Sequence, residues 1–344
     1  MSLIVHAPNV HYGGGRKLLL ALLRSLDESM VYTALLDARL VATLAPARQA
    51  RVITVLPTVR GRLGAEFELR RIAAAGDHVL CFGNLPPLFR LRAQVDLYLQ
   101  NRYLSGAISP AGWPLRGRAR IAIEQRWLRL RLNNADRILV QSPSMRREVF
   151  QQFGRQAVVA PFLPEPIGAV PATRRASPPG DAATFLYVAS GEPHKNHAVL
   201  LEAWQELASG GLFPTLVLTV DEYAFPATAR LIEMRRTQGL RIQNAGAATA
   251  AELADLYQKA DALVYPSAME SLGLPLYEAR SAGLPVIAAE RDYVRDALDP
   301  EQSFDPESPR SIARAVRRFI LRPEAREAPP GPGEFVRRWL APDE

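Results

Sequence analysis

The chain is poor in cysteine, in lysine and in long apolar runs, and each shortage closes off a class of function. A single cysteine, Cys81, in 344 residues allows neither an internal disulfide nor a cysteine metal cluster. It reads as a buried apolar thiol in a reducing compartment. The opening MSLIVHAP lacks the basic start and apolar centre of a secretory signal, and no run reaches the roughly 20 apolar residues of a membrane span. The expectation is a soluble protein, at most peripheral to a membrane. Lysine is scarce enough to be informative, because the carboxyl-terminal half carries only Lys195 and Lys259 among many arginines.

What is present is unevenly charged. The net charge is +7, yet residues 1–162 hold 23 Lys and Arg against 10 Asp and Glu, whereas residues 163–344 hold 19 against 25. The amino-terminal half therefore faces something acidic. Within it, WPLRGRARIAIEQRWLRLRL carries Arg116, Arg118, Arg120, Arg126, Arg129 and Arg131 with Trp113 and Trp127, opposed only by Glu124. That composition suits the anionic headgroup surface of a membrane, with Trp127 and the later arginines Arg126, Arg129 and Arg131 as the favoured contacts. A solvated helix whose arginine stems cover apolar neighbours is the plainer reading. Nucleic acid fits less well, since no helix-turn-helix, zinc-finger or strand-aromatic signature accompanies the charge.

Buried-strand runs alternate with helical patterns along both halves. LIVHAP, VYTALLD, VITVLP, HVLCF, VDLYLQ and RILVQS come first, then TFLYVA, TLVLTV, LRIQNA, ALVYPS and PVIAA. Near-continuous apolar strands separated by helices are the mark of parallel α/β sheets. Between the halves, residues 163–182 are rich in Pro, Gly, Ala and Arg without periodicity and read as a linker. The expected organisation is a first doubly wound, Rossmann-like domain over 1–162 on the acceptor side and a second over 183–325 on the donor side. A tail over 326–344 follows, with the short helix EFVRRWL packing back on the first domain.

Three stretches could carry chemistry. In HYGGGRKLLLALL, Gly13, Gly14 and Gly15 fall between the first strand and the first helix, where glycine lets backbone amides approach a phosphate or sugar. The spacing is neither the dinucleotide GxGxxG nor a P-loop. In SGEPHKNHAVLLEAW, Asn196 suits the N-cap of a helix and leaves Lys195 in the loop before it, facing an anion in the crevice. His194 and His197 lack a third ligand at a suggestive spacing and read as structural. In MESLGLPLYEARSAGLP, Glu270 sits in the loop after a strand, Pro275 opens a helix, Glu278 lies in its first turns and Gly283 ends it.

Set in YPSAMESLGLPLYEARSAGLPVIA, those glutamates resemble the E-x7-E motif of the family-4 retaining glycosyltransferases of the GT-B fold. SGEPHKN resembles the family's phosphate-lysine loop, GGG its amino-terminal glycine loop, and LADLYQKADALVYPS the approach to the motif. The resemblance covers most of the carboxyl half closely and the amino half loosely. It implies transfer of a hexose or deoxyhexose from a nucleoside-diphosphate sugar to a glycan acceptor, lipid-linked, at the inner face of the cytoplasmic membrane. SGEPHKN and ERDYVRDALDPEQSFDP resemble a bacterial subgroup that builds surface polysaccharide such as O-antigen or capsule.

It further implies that Glu278 binds the ribose and Glu270 the donor sugar. Lys195, with amides of Gly14, Gly15 and Gly191, would hold the diphosphate, and Gly273 and Leu274 would lie beside sugar and diphosphate. The base would meet Asn244, Ala245 and Gly246. No D-x-D occurs, and the resemblance implies no cofactor and no metal, with Lys195 supplying the charge. Two departures stand out. Glu192 follows Gly191 where relatives carry arginine, and LQNRYL, with Gln100, Asn101 and Arg102, stands where many carry a histidine. Asn101 and Arg102 are the candidates for the acceptor side. A non-catalytic protein of the same fold, docking through its basic face, is the alternative; a sugar-nucleotide epimerase is disfavoured by the E-x7-E context.

Overall fold

A computed structural model describes residues 2–44, 49–105, 108–110, 113–164 and 183–321. Seven strands build the first sheet: β1 (Leu3–Ala7), β2 (Tyr32–Asp37), β3 (Ala50–Val55), β4 (His78–Cys81), β5 (Gln94–Leu99), β6 (Arg137–Val140) and β7 (Val158–Val159). Six build the second: β8 (Thr184–Tyr187), β9 (Thr215–Leu218), β10 (Ile242–Asn244), β11 (Ala262–Tyr265), β12 (Val286–Ala289) and β13 (Gln302–Phe304). Their orders are β3-β2-β1-β4-β5-β6-β7 and β10-β9-β8-β11-β12-β13, and every pairing is parallel. β11 and β12 are buried along their whole length, as apolar strands covered on both faces must be.

In each sheet the chain runs outward from a first strand, then returns to that strand's other side. The order therefore reverses between β1 and β4, and again between β8 and β11. Such reversals splay the loops at the strands' carboxyl ends and leave a crevice there. The two short edge strands β7 and β13 were not evident from the apolar runs, because two or three residues carry too little pattern. The expected linker, apart from residues 163 and 164, and the whole expected tail fall outside the described residues.

Local chemistry explains the helix ends that matter. Ser142 caps the helix Pro143–Phe153 through the amide of Met145, Pro143 opens it, and Gly154 closes it in the left-handed conformation. The helix Leu274–Ser281 starts at Gly273, whose φ is 70°, with Pro275 as its second residue. It ends when Gly283 donates to the carbonyl of Arg280 and Leu284 to that of Ala279, a Schellman closure.

Candidate functional site

The segment 268–278 connects the halves. Met269 packs into the apolar core shared by β4, β5 and β6, while Leu272 and Leu274 enter the core between β1 and the helix Gly13–Ser29. A loop of the second domain is thus anchored in two places in the first. Between those anchors lies Glu270, and one helical turn beyond them lies Glu278.

Glu270 is held tightly. Its Oε1 accepts from Lys195 Nζ at 2.6 Å, from Ser267 Oγ at 2.7 Å and from the Tyr265 hydroxyl at 3.0 Å. Burial pushes its carboxyl up, but the Lys195 ammonium and the hydrogen bonds from Lys195 and Ser267 outweigh burial and leave it lowered from its ordinary value. Lys195 is fixed in turn: it ends a short turn, Pro193–Lys195, whose last carbonyl accepts from Tyr187 at 2.6 Å. The amide of Ala268 donates to the carbonyl of His194 at 2.8 Å. The loops after β8 and β11 are therefore tied to each other, with the cation and the carboxylate adjacent.

Glu278 accepts from the Tyr257 hydroxyl at 2.9 Å and, across the gap between the domains, from Lys17 Nζ at 3.4 Å. Lys17 was not singled out from the sequence. Its signal was there, since it lies in the opening turns of the helix that the three glycines begin. Those glycines form the first turn of that helix rather than a loop before it. A run of three glycines suggested a loop because glycine is a poor helix former; no side chain caps this turn, so its first amides have no side-chain partner. A Cβ on Gly14 would meet Leu274 at 3.6 Å and one on Gly15 would meet Gln100 at 3.5 Å. Both are ordinary contacts, so packing alone does not require glycine at either position.

Gly191 is different, because a Cβ there would overlap the Phe225 side chain. Asn196 corrects the expected cap: it occupies the N-cap position but is left-handed, with φ of 62°, and makes no side-chain cap. Its amide donates instead to the carbonyls of Pro266 and Pro306, so it braces the lysine loop against β11. His197 is buried, and desolvation with nearby Lys195 lowers it to about 3. Its ring lies 5.0 Å from that of Tyr187, a structural position. Asn244 is exposed, and its side-chain oxygen accepts from the amide of Val220 at 2.9 Å.

On the first domain, Asn101 Oδ1 accepts from the amide of Tyr103 at 3.0 Å. Arg102 spans the gap. Its guanidinium pairs with Glu148 and donates to the main-chain carbonyl of Glu270 at 2.9 Å. Arg126, Arg129 and Arg131 are exposed on the helix Leu115–Arg131. Trp127 departs from the expectation: its indole donates to the carbonyl of Pro86 at 3.0 Å and stacks under Arg62. Trp113 packs edge-on against Tyr103. The Trp127 ring was assigned outward from composition alone, and its contacts in the fold reverse it. What faces solvent is Leu115 (78% exposed), Ile123 (67%) and Leu130 (63%). Among the described residues no helix is long and apolar enough to cross a membrane.

Two doubly wound domains facing across a crevice, with two glutamates on one bridging segment, form a GT-B architecture. Solved structures of that architecture superpose on most of the chain. Anabaena HepE in complex with UDP and glucose gives a TM-score of 0.68 at 17% identity over 93% of this chain and 90% of that one. The lipopolysaccharide outer core galactosyltransferase WaaB gives 0.61 at 15% over 93% and 90%. Residues 171–329, a little under half of the chain, match the model of the family "Glycosyl transferases group 1". A D-inositol 3-phosphate glycosyltransferase of Streptosporangium roseum is 31% identical over 217 residues, 56% of this chain and 49% of its own length. The Escherichia coli serotype-specific mannosyltransferase WbdA is 31% identical over 145 residues, 40% and 17%. The chain thus spans about half the length of the first of these relatives.

Proposed function

We propose that the protein is a nucleotide-sugar-dependent retaining hexosyltransferase, independent of metal. It would extend a lipid-linked glycan of bacterial surface polysaccharide at the inner face of the cytoplasmic membrane. The observation that carries this reading is the arrangement around 268–278: Glu270 paired with Lys195, and Glu278 facing Lys17 beside an uncapped glycine turn. Glu278 and Lys17 suit the ribose and phosphate end of a donor. Glu270 suits the sugar hydroxyls. The amides of Gly14, Gly15, Gly273 and Leu274 suit the diphosphate between them.

In the proposed step the bond from the anomeric carbon to the diphosphate oxygen breaks, and a bond to the acceptor oxygen forms on the same face. The acceptor proton passes to the departing phosphate. Negative charge grows on that phosphate, and Lys195 and Lys17, with the amide dipoles, are the groups placed to stabilise it. The names of relatives support the substrate class: one is a serotype-specific mannosyltransferase, another an O-antigen chain mannosyltransferase B, and the HepE structure contains UDP and glucose.

The arginine helix supports a membrane-facing role. Leu115, Ile123 and Leu130 form an exposed apolar stripe with arginines on both sides, which fits insertion at an anionic interface.

A thermal-shift screen with UDP, GDP, dTDP, ADP and CMP tests the donor reading. A ligand at about 100 times its dissociation constant adds roughly 2.7 kcal/mol, and the selected nucleotide sugar should then be hydrolysed slowly in the presence of EDTA. No shift with any nucleotide would favour the non-catalytic docking protein. Full loss of hydrolysis in EDTA, restored by Mg²⁺, would refute the metal-free chemistry.

A further inference from the structure

The glycine turn has little of its own to hold it in place. Gly13 is left-handed, with φ of 66°, and a Cβ there would meet nothing within 4 Å. The neighbours of Gly14 and Gly15 lie at ordinary contact distance, and no side chain caps the turn. Glycine also loses more conformational freedom on ordering than any other residue. The turn's position must therefore be fixed from outside it. Tyr12, the residue just before it, is joined to the turn by its backbone, its carbonyl accepting from the amide of Arg16 at 3.4 Å. Its side chain goes elsewhere.

The Tyr12 ring lies against Phe225 of the second domain, with ring centres 6.2 Å apart and planes inclined by 45°, a separation at which aromatic pairs attract. Phe225 is well seated on its own side. It packs on the core of the second domain, stands immediately before the helix Pro226–Thr237, and lies so close to Gly191 that a Cβ on that glycine would overlap it. Thr228, in the first turn of the same helix, donates to the Gly191 carbonyl at 3.0 Å. The Tyr12 hydroxyl lies beside Ser190 and Glu192, and burial, then the Glu192 carboxylate, pushes it up to about 12. It therefore stays protonated near neutrality and adds no charge to the crevice. One ring thus joins the glycine turn to the loop that runs from Gly191 to Lys195.

We infer that Tyr12 is a positioning residue: by resting on Phe225 it fixes the distance between the glycine turn and the Gly191–Lys195 loop, the two elements assigned to the donor diphosphate. The inference rests on the donor reading above and deepens it. Tyr12 touches no reacting atom, and its effect passes through the backbone of Gly13, Gly14 and Gly15. A ring contact suits that task, because it holds two loops together without consuming the cation and the amides that the diphosphate needs.

Calorimetry on the full chain with the nucleoside diphosphate selected by the thermal-shift screen tests it, together with a hydrolysis assay on the matching nucleotide sugar. Tyr12→Ala should weaken the bare diphosphate about five- to tenfold, as for one lost aromatic pair. It should also lower kcat for hydrolysis as well as raise KM, because amides placed on the diphosphate act on the charge that grows there. Tyr12→Phe keeps the ring and should stay within about twofold of the wild type in both measurements. Phe225→Leu still covers Gly191 but removes the facing ring, and it should reproduce the losses of Tyr12→Ala, so the answer does not depend on the folding of one variant. Wild-type diphosphate affinity in Tyr12→Ala or in Phe225→Leu, or a Tyr12→Phe that falls as far as Tyr12→Ala, overturns the inference. A wild type that binds none of the nucleotides overturns the donor reading and this inference with it.

Discussion

At the residue scale, the two glutamates differ in what already occupies them. Glu278 has one hydroxyl donor and one lysine across the gap, so Glu278→Gln should weaken the bare nucleoside diphosphate by roughly 1.5 to 3 kcal/mol, as for a lost charged hydrogen bond. Glu270→Gln removes the partner of Lys195 and frees that ammonium for phosphate. Affinity for the bare diphosphate should therefore hold or rise while turnover of the nucleotide sugar falls. Calorimetry and a hydrolysis assay together decide this, and equal losses of affinity in both variants would count against the assignment. His197 gives a pH dependence with a definite sign. It stays neutral in the fold down to about 3, whereas the unfolded chain takes up a proton below about 6.5. Its contribution is thus complete above that value and declines as pH falls, by up to about 1.36 kcal/mol per unit. His6 and His194 are lowered too and act in the same direction. Urea unfolding at about pH 7 and about pH 5 should show the loss, and His197→Phe should flatten it; an unchanged slope would mean that this ring does not titrate as described.

At the element scale, the helix Leu115–Arg131 shows why composition and orientation must be separated. Its arginines are visible in any reading of the sequence, and so are its tryptophans. Which side chains share a face depends on where the helix meets the first domain. Ile121 and Leu128 fix that contact as the buried pair, and the exposed stripe follows on the opposite side. Vesicles with anionic lipid should therefore be bound, with each near-surface arginine worth about 1 kcal/mol and with salt weakening the effect as screening shortens. The triple substitution Arg126→Glu, Arg129→Glu and Arg131→Glu should abolish co-sedimentation. Ile123→Asp alone should reduce it without altering bulk charge as much. Equal pelleting of wild type and the triple variant would return the helix to a solvated face.

At the scale of the whole molecule, polar contacts among the described residues cross between the domains and cluster around the crevice. They include Lys17 to Glu278, Arg102 to the Glu270 carbonyl, the Ser144 amide to Asp296 at 3.1 Å, and Arg147 to Asp292 at 3.0 Å. Arg102 is the most consequential, since it ties the first domain to the backbone of the very residue placed on the donor sugar. Arg102→Ala should let the domains open. Small-angle scattering should show a larger radius of gyration without ligand, and turnover should fall more than nucleotide affinity. A variant with unchanged scattering and unchanged turnover would leave Arg102 as an ordinary surface pair.

The sequence by itself settled the α/β class, the two successive strand sets and the loop positions of Glu270 and Lys195. Apolar runs, proline and glycine act locally, and local signals survive without a partner in space. It also marked Glu278 as a residue of the following helix, because Pro275 and Gly283 bound that helix on either side. The tertiary structure alone decided the rest. Lys17 meets Glu278 over a separation of 261 residues, Arg102 reaches Glu270 over 168, and Trp127 turns inward to a carbonyl 41 residues away. Such contacts depend on how two sheets pack around one bridging segment. No periodicity or spacing encodes that packing, because the energy that fixes it comes from surfaces buried between parts of the chain far apart in sequence.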